Sequence, residues 1–128
     1  MLSDLSPTLD ANPSGPAGAK ERPIDLVHLA RTTLGDRALE REVLHLFDRQ
    51  AGALISRMRA APTGGIAPLA HTLKGSATGI GAWRVARAAA ALEVATGTGE
   101  ADISAALQRL AEATTEARAV IADLLKAN

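Results

Sequence analysis

From Pro23 to the end of the chain, apolar residues recur every three or four positions, the spacing of helices that bury one face. The spacing predicts a short first helix over Asp25 to Leu34, with Asp25 near its start and Gly35 just past its end. Asp36 suits the cap of a long second helix reaching Arg59. Its stripe reads Leu39, Val43, Leu46/Phe47, Gln50/Ala51, Leu54 and Met58. Ala61 to Gly65 reads as a loop. A third helix is predicted from Ile66 to Thr78, with Pro68 in its first turn and Gly79 and Gly81 marking a break. The fourth spans Ala82 to Ala95 and turns Val85, Ala89 and Leu92 inward, with Ala86 at the edge. After Thr96-Gly97-Thr98-Gly99 the last helix runs from Ala101 to Leu125. It passes through Ile103, Leu107, Leu110, Thr114, Ala117, Ile121 and Leu124, a seam for packing at shallow angles. The expected fold is all-α: an antiparallel up-down four-helix bundle with a short additional N-terminal helix over one end.

Residues 1–22 break the pattern. Pro7, Pro13, Pro16, Gly15 and Gly18 lie among scattered Ser and Asp without a period, so this stretch is expected to be a flexible tail. Residues 23–128 form the bundle domain. Composition agrees with packed helices: 47% of residues are hydrophobic, yet Phe47 and Trp83 are the only aromatics, too few for a sheet core. Fourteen basic and 14 acidic residues leave a formal charge of zero, which argues against nucleic acid or anionic lipid as partners. With no cysteine, thiolate nucleophiles and zinc–thiolate sites are excluded, and no metal or cofactor is expected. No apolar run approaches the ~20 residues of a membrane span. The start of the chain has no secretory pattern, so the expected location is cytoplasmic.

The chemistry concentrates at His71-Thr72-Leu73-Lys74-Gly75. At about 100° per residue, the apolar side chains of the third helix fill an arc of roughly 80°, and His71 projects roughly 155° from its middle, toward water. Lys74 stands at the (i, i+3) spacing that makes helix neighbours. Gly75 lies on the same outward face, where an interior glycine costs a helix about 1 kcal/mol relative to alanine. A glycine beside an exposed imidazole implies that something large must come close to that ring.

One nitrogen of a neutral imidazole is nucleophilic when the other keeps its proton on an acceptor. Glu93 is placed to be that acceptor, since it flanks the inward face of the fourth helix by roughly 60°. An antiparallel third and fourth helix would return it to the level of His71. Lys74 would offset negative charge gained by the ring, and Arg84 and Arg87 project outward as a basic rim. A glycine-rich phosphate loop, a metal-ligand cluster and a serine elbow are all missing from the chain. A nucleophile without a substrate pocket suits a reaction whose other half lies on a partner.

The segment Ala70-His71-Thr72-Leu73-Lys74-Gly75-Ser76, followed by Gly81-Ala82, resembles the signature of histidine-containing phosphotransfer (HPt) domains of bacterial phosphorelays. The resemblance extends over roughly Ile24 to Leu125, including Leu34 to Asp36 and the Ala-Leu-Glu at Ala91 to Glu93. It implies that His71 is the phosphoacceptor, Lys74 faces the phosphate, Gly75 gives clearance to a receiver domain, and Glu93 orients the ring. With Gly75, the residues Thr78, Arg84 and Arg87 make up the expected partner-binding surface. The implied role is a stoichiometric phosphoryl carrier more than a turnover enzyme. Such a protein passes phosphoryl groups between receiver domains of hybrid histidine kinases and response regulators, and is expected to be a monomer. Gly79-Ile80-Gly81 departs from the family's usual pattern by its extra glycine, which places an early end or a kink in the third helix.

Two other histidines, His28 and His45, lack similar company and read as surface residues. Trp83 either caps the bundle end or forms an apolar patch facing a partner. Two rival roles stay open: a non-catalytic helical adaptor that binds a receiver or kinase, and a dimeric kinase-type phosphotransferase recruiting a separate nucleotide-binding domain. Nucleic-acid binding is the remotest.

Overall fold

The computed structural model describes residues 22–127, and within them it forms five helices and no strand. These are α1 (Leu26–Thr32), α2 (Arg37–Ala60), α3 (Thr63–Ile80), α4 (Trp83–Ala95) and α5 (Glu100–Lys126). Apart from Arg22, the tail expected over 1–22 lies outside the described residues. The four long helices pack in a ring, α2 on α3, α3 on α4, α4 on α5 and α5 on α2. Cross-links between α2 and α5 show that they run antiparallel: Arg41, early in α2, reaches the carbonyl of Leu125, while the later Asp48 holds the earlier Arg118. The up-down arrangement is therefore the one the apolar spacing implies.

The core is aliphatic and small-residue rich. Leu73, Val85, Leu92, Leu110 and Ile121 are fully enclosed, and Ala51, Ala70, Ala77, Ala89 and Ala117 let the backbones approach one another. Gly52 extends that logic to the surface, where the Arg118 guanidinium lies across it on its way to Asp48.

Several boundaries differ from the expected ones for identifiable reasons. The chain leaves α1 two residues early, because Leu34 (φ 54°) and Gly35 (φ 75°) both take the left-handed conformation and turn it toward α2. Asp36 does cap α2, accepting a hydrogen bond from the Leu39 amide. Helix α3 begins at Thr63, so Pro68 sits in its second turn, where it removes the bond that would run to the carbonyl of exposed Gly64.

At its other end α3 passes straight through Gly79. Ile80 is buried, and that gain outweighs the roughly 1 kcal/mol that a glycine costs there. The helix continues past the end expected at Thr78, and of the two glycines expected to mark the break only Gly81, which is left-handed (φ 81°), ends it. A Cβ at Gly81 would stand 3.0 Å from both Cβ and carbonyl oxygen of Asp25, so glycine is required twice over.

The core stripe of α2 is the main correction. Leu39 and Leu46 are exposed, Val43 and Gln50 half-buried, and Leu44 with Ile55 takes the expected inward place. Two apolar stripes lie side by side on this helix, and only the one covered by both α3 and α5 becomes core.

At the bundle end, α1 is tied down by Asp25. Its amide donates to the carbonyl of Gly81 (2.9 Å), its Oδ1 accepts from the His28 amide (3.1 Å), and its Oδ2 accepts from the Trp83 indole (2.9 Å). The His28 ring meets Trp83 edge-on with centroids 4.8 Å apart. Of the two places open to Trp83, it occupies the bundle end.

Candidate functional site

The sequence that makes α3 a helix also decides which side chains it shows to water. Ile66, Ala70, Leu73, Ala77 and Ile80 are buried against the core, which leaves His71 facing out with its side chain 70% exposed. Gly75 and Gly79 follow it at four-residue steps along the same face. A Cβ added at either glycine meets no atom within 4 Å. Nothing among the described residues demands those two glycines, so the space over them is open to whatever approaches from outside.

Glu93 comes from α4, whose alanine-rich sequence brings it close against α3. Its side chain is only 25% exposed and it accepts on both oxygens. Oε2 lies 3.0 Å from His71 Nδ1, and Oε1 lies 2.7 Å from Lys74 Nζ. The hydrogen bond from Lys74 holds the Glu93 carboxyl below its ordinary range; partial burial opposes that, and the bond from His71 adds to it. An ionised carboxylate only accepts, so in the neutral ring Nδ1 of His71 carries the proton and Nε2 keeps an in-plane lone pair directed away from Glu93. The arrangement is a nucleophilic nitrogen standing clear of the surface, with its tautomer held from behind.

Lys74 is next to His71 as its spacing requires, but its ammonium rests on Glu93 instead of standing free. Thr78 is exposed, and its hydroxyl donates to the Lys74 carbonyl within the same helix (2.9 Å). Arg84 and Arg87 are not brought to His71. Arg84 turns toward α5 and pairs with Glu116 at 2.7 Å, while exposed Arg87 stands about 120° round α4 from Glu93 and makes no ion pair among the described residues. Among those residues no cluster of His, Asp or Glu could hold a metal ion.

One part of the face escaped the sequence reading. Beside Gly79, on the α2 side, lies a shallow apolar groove of about 260 Å³ lined by Thr32, Val43, Leu46, Phe47, Gln50, Ser76, Gly79 and Ile80. Leu46 is 56% exposed on its rim, and Ser76 Oγ donates to Gln50 Oε1 (2.8 Å) across the α2–α3 seam. The signal was present in the Leu39, Val43, Leu46 spacing, but those residues read as core when Leu44, on the same side as the buried Phe47 and Ala51, is not weighed against them.

A family model described as Hpt domain matches residues 37–126, from the first residue of α2 to the last of α5. No curated protein and no solved structure matches the chain.

Proposed function

The chain belongs to the Hpt domain family, whose members transfer phosphoryl groups in phosphorelays, and from that membership we propose that His71 is its phosphoacceptor. A receiver domain bearing an aspartyl phosphate docks over α3, and His71 Nε2 takes the phosphoryl group. The reverse passage delivers it to a second receiver. The donors and acceptors are the receiver domains of hybrid histidine kinases and response regulators, and the protein acts as a monomeric, stoichiometric carrier in the cytoplasm.

The observation that carries this reading is the exposed His71 ring bonded through Nδ1 to Glu93, which leaves Nε2 as the outward nucleophile. The open space over Gly75 and Gly79 supports a large partner in place of a small substrate. The groove beside Leu46 offers apolar contact that would help exclude water from the transfer. Partner contact is accordingly expected on the α2–α3 side, with Gly75 and Thr78, and less at Arg84 and Arg87.

Incubation with a phosphorylated receiver domain tests the proposal. Acid-labile, base-stable phosphate should accumulate on the wild-type protein and be lost in His71→Ala. Binding of the receiver without any label would identify the protein as an adaptor instead.

A further inference from the structure

Lys74 is already committed in the resting protein. Its ammonium is 2.7 Å from one oxygen of Glu93, while His71 Nδ1 is 3.0 Å from the other, so a single carboxylate holds both donors. The Lys74 side chain is nevertheless 36% exposed. Its flexible four-carbon stem can carry the charge toward the outer edge of a ring one helical turn away without moving the backbone.

Resting on the reading that His71 carries the phosphoryl group, we propose that Lys74 changes partners during the reaction. Glu93 holds it before transfer, and the phosphoryl oxygens hold it afterwards. In the step itself the lone pair of Nε2 attacks the phosphorus of an aspartyl phosphate. The N–P bond forms as the P–O bond to the aspartyl carboxylate breaks, and that carboxylate leaves with the electron pair. The proton on Nδ1 stays between the ring and Glu93, so the product is an N-phosphorylated imidazolium facing a carboxylate.

The phosphoryl oxygens now present nearly two negative charges beside Lys74. Glu93 offers one, and that one is partly answered by the imidazolium. The ammonium moves to the stronger anion. Since the new ion pair forms only as the old one breaks, the phosphohistidine gains the difference between two pairs and not the whole of one. Glu93 therefore has a second effect as a positioning residue: by holding Lys74 back it limits the stability of the phosphohistidine and keeps transfer to aspartate reversible.

The test is the equilibrium ratio of phosphohistidine to aspartyl phosphate, read with one receiver domain that labels the wild type. Glu93→Gln keeps an acceptor for Nδ1 and removes the charge that holds Lys74. Its effect on the ratio is measured with Lys74 present and again in a Lys74→Met background. Direct effects of the lost charge on the ring or the phosphoryl group occur in both backgrounds and cancel in the comparison. The expected result is an extra shift toward phosphohistidine, about threefold, only where Lys74 is present, the size an exposed ion pair supports. Equal effects in the two backgrounds, with label on His71, overturn the partner exchange alone. Failure of the wild type to take label overturns the phosphoacceptor reading and this inference with it.

Discussion

The molecule contains two histidines with a carboxylate close by, and they do opposite things. At mid-bundle, Glu93 comes from another helix and binds the His71 ring at Nδ1, so the imidazole is oriented while its far edge stays in water. At the bundle end, Asp25 is three residues before His28 and accepts the backbone amide of that residue, while its other oxygen takes the Trp83 indole. The His28 ring is half-buried and meets Trp83 edge-on. A histidine and a carboxylate orient a ring in one place and fasten the chain in the other. What separates them is which hydrogen the carboxylate receives: a ring N–H sets the chemistry of the ring, whereas a main-chain N–H sets the path of the chain.

The largest expected contrast is in phosphoryl acceptance. His71→Ala should abolish labelling by a phosphorylated receiver, and His28→Ala should leave labelling close to wild type. Label surviving in the first variant, or disappearing from a well-folded second, would erase the distinction.

Stability should divide the other way. Asp25→Ala removes the cap of α1 and orphans the Trp83 indole, which should cost about 1–3 kcal/mol in denaturant unfolding. The largely exposed side chain of His71 makes its replacement by alanine nearly neutral, within about 0.5 kcal/mol.

Acid titration sharpens the comparison further. Burial raises the pKa of Asp25, but the hydrogen bonds from Trp83 and from the His28 and Val27 amides outweigh it and leave the group below its ordinary 3.8. A carboxyl lowered on folding stabilises the native state above its unfolded pKa. That contribution disappears as the pH falls through the folded value. Unfolding measured downward from pH 5 should therefore steepen below about pH 4, and Asp25→Asn should flatten that limb.

The smallest effect is the most diagnostic of a surface kept open for a partner. Gly75→Ala should stabilise the helix by up to about 1 kcal/mol, because nothing among the described residues meets the added methyl. The same change should slow transfer from a receiver. A variant that is more stable and equally fast would remove the argument that Gly75 gives clearance.

Much of this was legible in the chain because α3, α4 and α5 each carry a single apolar stripe. Ile66, Ala70, Leu73 and Ala77 could point only one way, and that alone turned His71 outward and set Lys74 beside it. Glu93 was legible for the same reason, as a carboxylate on the flank of an otherwise apolar face. Helix α2 was harder to read because it carries two stripes, and only the arrangement of its neighbours decides between Leu46 and Leu44. Gly79 looked like a break since local propensity says nothing of the burial awaiting Ile80. The commitment of Lys74 to Glu93 depends on the distance between two helices, which no spacing along one helix encodes.

His71 stands near the middle of an 18-residue helix, not on a loop. On the proposed reading, a docking receiver domain meets its target already set in a helix, and few degrees of freedom beyond the rotamers of Lys74 and Leu46 remain to be frozen when it arrives. Low ordering cost on arrival means that little has to be undone on departure. One small platform can thus serve a succession of callers, with selectivity left to the shapes and charges they bring.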